Sequence, residues 1–172
     1  IRKVSFTGST GVGSGVMHAA ADRVAPVTLE LGGKSPFVVF PDADLDTVVP
    51  AVADGIFYST GEICDAFSRA IVHDSIADEF TERFVEAAES HVLGDPLDEV
   101  TTMGPLTSGE QLETVTGYIE TGKGEAELLC GGGTPGDPAL SAGPYVEPTV
   151  LRGATNDTTR ASEELFRPAT AT

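Results

Sequence analysis

Lysine is nearly absent from this chain, which holds only Lys3, Lys34 and Lys123. Lysine and arginine together number 10 against 27 aspartates and glutamates, a formal net charge of -17. No basic cluster offsets that excess. Such a surface repels nucleic acid and anionic membranes, so neither is expected as a partner. Apolar runs are also short, and none approaches the roughly 18 residues that a membrane span needs. Cysteine is limited to Cys64 and Cys130. Two cysteines outside a small secreted framework do not make a disulfide scaffold, so a bridge between them is not expected and the chain reads as cytoplasmic. His18, His73 and His91 show no ligand spacing with either cysteine, so no metal site is expected. An initiating Met and a signal-peptide pattern are missing too, and the chain reads as cut from something longer. The acidic excess carries its own cost: like charges repel in the compact state, and salt relieves the repulsion. A salt-adapted protein is the expectation.

What is present alternates between the two backbone periods. Val4–Phe6 reads as the end of a strand, followed by the glycine-rich turn Gly8–Gly15 and a helical run over Val16–Ala21. Val27–Leu31 alternates as a strand, Gly32-Gly33 ends it, and Pro36–Phe40 is a second, more apolar strand. A helix from about Asp46 places Val48, Val52 and Ile56 on one face and ends near Phe57–Ser59, which leaves Cys64 on a loop. Arg69–His73 is a strand. Ser75 is expected to cap a helix that runs to about His91, with Ile76, Phe80, Phe84 and Ala87 as its apolar stripe. Met103 and Leu106 anchor a loop. Ser108 and Gln111 form a capping box before Leu112, Val115 and Ile119, and Gly122 is a natural stop. Glu127–Cys130 is a short strand, Tyr145–Leu151 is extended, and the chain after it shows no closing element. Strands alternating with helices predict an α/β fold with a mostly parallel sheet.

Five features bear on chemistry. Cys64 follows a turn-rich stretch rather than an apolar stripe, so it reads either as a thiolate nucleophile or as a structural cysteine. Cys130 ends an apolar run and reads as core filler. Glu30, between Leu29 and Leu31, reads as a desolvated general base or as a strand-end carboxylate facing solvent or Lys34. The turn at Gly8 has the strand–glycine–helix context that binds phosphate, but it lacks the lysine of a P-loop and departs from the full dinucleotide fingerprint. Glu164 suits a ribose diol and Phe166 suits a ring, and both are equally ordinary surface and core residues.

Taken jointly, several segments resemble the NAD(P)-dependent aldehyde dehydrogenase family. They are Phe6-Thr7-Gly8-Ser9-Thr10-Gly11, Leu29-Glu30-Leu31-Gly32-Gly33-Lys34, Gly61-Glu62-Ile63-Cys64 with Ser68-Arg69, Gly94-Asp95-Pro96-Leu97, Met103-Gly104-Pro105-Leu106 and Glu163-Glu164-Leu165-Phe166. The resemblance implies a partial aldehyde dehydrogenase-like fold. Residues 1–32 would be the end of the cofactor-binding domain, and 33–172 an incomplete α/β catalytic domain. It implies NAD or NADP as cofactor and a small-molecule aldehyde as substrate. Cys64 would be the nucleophile that forms a thiohemiacetal and then a thioester, with its backbone N–H in the oxyanion hole. Glu30 would be the general base. Gly8, Ser9, Leu31, Glu164 and Phe166 would contact the cofactor. Asp65 and Phe67 depart from the family's usual residues beside the nucleophile, and Arg167-Pro168 stands where the family usually has Gly-Pro. The chain corresponds to a central portion of full-length members, which assemble as dimers or tetramers. Alone it is expected to lack dehydrogenase turnover. A truncated or structural module, or residual thiol esterase activity, is the alternative.

Overall fold

The computed structural model describes residues 1–153 and 169–171. The chain divides into two compact units, Ile1–Gly33 and Lys34–Thr172. The first is a strand–helix–strand unit. β1 (Val4–Thr7) and β2 (Val27–Glu30) pair in parallel, Val4 opposite Val27 and Thr7 opposite Glu30, and α1 (Thr10–Ala21) connects them. The helix begins six residues before the predicted run and takes in Gly11, Gly13 and Gly15. Low helix propensity is overridden here by a cap and by packing. The Ser9 side chain accepts the Val12 N–H. At Gly13 a β-carbon would lie 2.5 Å from Leu31 Cδ2, so the helix comes close to the residue that follows β2, and a side chain there would have to displace Leu31.

The second unit is built on a mixed five-stranded sheet of order β3-β4-β7-β6-β5. These strands are β3 (Pro36–Val39), β4 (Arg69–Val72), β5 (Glu127–Cys130), β6 (Thr149–Arg152) and β7 (Ala169–Ala171). All neighbouring pairs are parallel except β5 with β6. The three-residue β7 supplies the closing element that the sequence pattern did not reveal. Ala-Thr-Ala has no strand signature of its own, and its structure comes from pairing with β4 on one side and β6 on the other.

Helices α2 (Leu45–Phe57), α3 (Ala77–Glu89) and α4 (Gly109–Glu125) supply the rest of the core. Asp44 caps α2, accepting the Asp46 N–H, and Pro50 is accommodated in the second turn. Its buried stripe is Leu45, Val49, Val52, Ala53 and Ile56, so Val49 takes the place expected of Val48. A short 3₁₀ turn, Asp74–Ile76, precedes α3, and the capping side chain there is His73, whose Nδ1 accepts the Ser75 N–H. Phe80, Thr81, Phe84 and Ala88 are the buried residues of α3. Ser108 caps α4 through the Gln111 N–H as expected, but the helix passes through Gly122, which is buried, and ends at Glu125. Phe57, Phe84 and Phe80 form a stack with centroid separations of 6.1 and 5.7 Å. Each ring is fully buried, which contributes about 1.5–3 kcal/mol apiece. Among the described residues no helix is long and apolar enough to cross a membrane.

Candidate active site

In the first unit, four of the residues singled out in the sequence gather at the carboxyl ends of β1 and β2. Gly8 follows β1, and its N–H donates to the Glu30 carbonyl at 3.1 Å. A β-carbon at Gly8 would lie 2.6 Å from Phe6 Cζ, so the turn is closed too tightly for a side chain. Ser9 caps α1, whose first turn holds no acidic residue, and the space beside Gly11 is open. A helix N-terminus of this kind favours anions, because its unpaired N–H groups and dipole both point outward. Leu31 packs against Gly13 of the same helix. Glu30 ends β2 with its side chain exposed. The burial expected from its apolar neighbours is absent: among the described residues β2 pairs with β1 alone, and Glu30 stands exposed at the strand end.

In the second unit, the two cysteines separate by environment. Cys130 is buried in β5, its Sγ 3.8 Å from the Pro148 carbonyl, and burial pushes its thiol up to about 11. That suits core filler. Cys64 is exposed in the turn Ile63–Ala66, closed by the Ala66 N–H donating to the Ile63 carbonyl at 3.3 Å.

The loop that carries Cys64 is shaped from both ends. Upstream, α2 gives way to three consecutive residues in the left-handed region, Ser59 (φ 50°), Thr60 (φ 59°) and Gly61 (φ 72°). Non-glycine residues there cost about 1–2 kcal/mol each, so surrounding contacts must hold the turn. Thr60 is buried and its hydroxyl donates to the Pro105 carbonyl at 3.4 Å. Two residues on, the Glu62 carboxylate accepts the Thr107 N–H at 3.0 Å. Burial raises the Glu62 carboxyl above its ordinary range, and the Thr107 N–H opposes the rise. Downstream, the Phe67 N–H donates to the Gly55 carbonyl at 3.0 Å, and the Phe67 ring lies over Gly55 and against Phe37, 5.2 Å between centroids.

Thr107 and Gly55 had no functional reading in the sequence, whereas Glu62 stood in the family segment that carries Cys64, and Phe67 departed from the usual family residue. Glu164 and Phe166 lie outside the described residues. Among the described residues no group of three or more metal-ligating side chains comes together.

Comparison with known proteins identifies the family and the fold. A family model described as "Aldehyde dehydrogenase family" matches residues 1–171. The betaine aldehyde dehydrogenase of Rhizobium johnstonii is 48% identical over 169 residues, covering 98% of this chain and 34% of that protein. That of Brucella anthropi is 46% identical over 167 residues, covering 96% of this chain and 34% of that protein. A crystal structure of betaine aldehyde dehydrogenase from Staphylococcus aureus in complex with NAD+ superposes with a TM-score of 0.96 at 34% identity, over 99% of this chain and 34% of that one. The gamma-glutamyl-gamma-aminobutyraldehyde dehydrogenase of Burkholderia cenocepacia gives 0.93 at 46% identity, with 99% and 34% covered. The chain thus spans about a third of the length of the relatives it matches. With a match over nearly every residue, the chain belongs to the aldehyde dehydrogenase family.

Proposed function

We propose that this chain carries the nucleophile and the general base of an enzyme that oxidises an aldehyde to a carboxylic acid with NAD or NADP. The observation that carries the reading is the contrast between the cysteines. Cys64 is exposed at a turn on a tethered loop, whereas the Cys130 thiol is buried and raised to about 11. In this reading residues 1–32 are the end of the NAD(P)-binding domain and 33–172 belong to the catalytic domain. The whole protein works in the cytoplasm as a dimer or tetramer, and its acidic surface is an adaptation to salt.

The Cys64 sulfur attacks the carbonyl carbon of the aldehyde and forms a C–S bond, while the thiol proton passes to a base. Charge then develops on the aldehyde oxygen, and the Cys64 backbone N–H donates to it. NAD(P), when bound, supplies the acceptor for the substrate's hydride. Gly8 and the Ser9-capped start of α1 fit its pyrophosphate, since the turn excludes side chains and the first helical turn is free of acidic residues. By the family resemblance Leu31 would line the nicotinamide side, Glu164 would hold the ribose, and Phe166 would pack beside it. Glu30 removes a proton from the water that attacks the acyl carbon on Cys64. The C–S bond breaks, the acid leaves, and the thiol is restored.

The names of the relatives make betaine aldehyde the first substrate to test. For the chain of 172 residues the sharper test is ester hydrolysis, which needs no hydride acceptor. p-Nitrophenyl acetate turnover is expected to be abolished in Cys64→Ala and reduced in Glu30→Gln. Equal rates in all three proteins would refute the assignment of both residues.

A further inference from the structure

The two tethers on the Cys64 loop run in step. Thr60 reaches the Pro105 carbonyl, and Glu62 receives the Thr107 N–H, so residues two apart on one segment meet residues two apart on the other. Between the two contacts on the second segment lies Leu106, only 3% exposed, and Met103 just before it is 2% exposed. The Leu106 N–H donates to the Pro144 carbonyl at 3.0 Å, which fixes the segment from its other side. Residues 103–107 are therefore a rigid anchor fastened into the core, and the left-handed turn before Cys64 is tied to it. The Thr60 contact is long for a hydroxyl donor at 3.4 Å, whereas the Glu62 contact is a charge-assisted bond of 3.0 Å. Glu62 is thus the stronger of the two fastenings and the nearer to the thiol.

We propose that Glu62 is a positioning residue for Cys64: by accepting the Thr107 N–H, its carboxylate fastens the thiol-bearing loop to the buried Met103–Leu106 anchor. This rests on the reading of Cys64 as the nucleophile. The side chain touches neither substrate nor cofactor in this role. It holds the turn of Ser59, Thr60 and Gly61 in the left-handed conformation that aims Ile63 and Cys64, and it offsets part of the backbone cost of that turn. The role needs an acceptor oxygen rather than a charge. A glutamine at position 62 keeps the acceptor, whereas an alanine removes it.

The test uses the full chain and reads two signals that require neither aldehyde nor cofactor, so it stands apart from the ester assay. Amide hydrogen exchange at Thr107 is measured in the wild type, Glu62→Gln and Glu62→Ala. Loss of one charge-assisted hydrogen bond speeds exchange at the Thr107 amide by about tenfold in Glu62→Ala, and Glu62→Gln stays within about threefold of the wild type. Iodoacetamide labelling, followed by mass spectrometry, reports each thiol separately. Both variants lack the charge, so the comparison between them isolates the acceptor. Cys64 labels at least about threefold faster in Glu62→Ala than in Glu62→Gln, while the buried Cys130 labels at the wild-type rate in all three. Equal behaviour of the alanine and glutamine variants overturns the proposal. So does faster Cys130 labelling in step with Cys64, which would mean that Glu62 supports the whole fold rather than this loop.

Discussion

Replacing Gly55 by alanine should disturb the Cys64 loop from the helix behind it. A β-carbon at Gly55 would stand 2.2 Å from Phe67 Cδ2 and 2.5 Å from Cε2. Carbon atoms settle at about 3.5–4.0 Å, so the ring must retreat by about 1.3 Å or more. Retreat is resisted in two ways. The Phe67 N–H is bonded to the Gly55 carbonyl, and the ring is packed against Phe37. Overpacking of this kind costs about 1–3 kcal/mol. The gain in helix propensity from glycine to alanine returns about 1 kcal/mol. The net effect is a loss of about 1 kcal/mol, which for a chain of this size lowers the Tm by about 2–4 °C. Gly117, in the middle of α4, is the control, since nothing lies within 4 Å of its added β-carbon. There the propensity gain stands alone, and Gly117→Ala should raise the Tm by about the same 2–4 °C. Thermal unfolding followed by circular dichroism gives both shifts. Iodoacetamide labelling of Cys64, three residues before Phe67, should change in Gly55→Ala and stay at the wild-type rate in Gly117→Ala. If Gly55→Ala instead raises the Tm as Gly117→Ala does and leaves Cys64 labelling unchanged, the Phe67–Gly55 contact does not shape the loop.

Two further outcomes follow from charge. His91 stacks edge-on against Phe57 at 5.1 Å and bonds Thr102 through Nδ1, and burial lowers its pKa despite the nearby Asp54 carboxylate. A histidine depressed on folding contributes stability above its unfolded pKa, near 6.5, and that contribution fades as pH falls through the folded value; denaturant midpoints measured across that window should fall less steeply in His91→Gln than in the wild type, and parallel profiles would count against the burial argument. With a formal net charge of -17, stability should rise as sodium chloride is added and the Debye length shortens; a Tm independent of salt would remove the basis for reading the acidic surface as salt adaptation.

The family was legible because its motifs depend on residue identity in a fixed local order. Short signals with a local cause were reliable: the Ser108 cap on Gln111, the Glu127–Cys130 strand and the burial of Cys130 all rest on near neighbours. Signals whose cause lies far along the chain were not. Nothing local marks α1 as beginning at Thr10, because three glycines argue against a helix there. Close approach of the helix to Leu31 reverses that preference. His73 takes the cap expected of Ser75 because its ring nitrogen reaches the Ser75 N–H. Gly122 does not stop α4, since it is buried within the helix and has no left-handed role there.

The sequence by itself determined the acidic charge, the α/β alternation and the family resemblance, and it singled out Cys64 as the candidate thiol, since each follows from composition, period or motif. Tertiary structure alone decided how that thiol is held. Thr60 and Pro105, like Glu62 and Thr107, are 45 residues apart, and a bond across that separation has no trace in either segment. The same holds for β7, a strand only because β4 and β6 leave a place between them. It holds for the exposure of Glu30 as well, which depends on how many strands stand beside it. Pairing, burial and loop geometry are properties of neighbours in space, and a linear pattern records only neighbours along the chain.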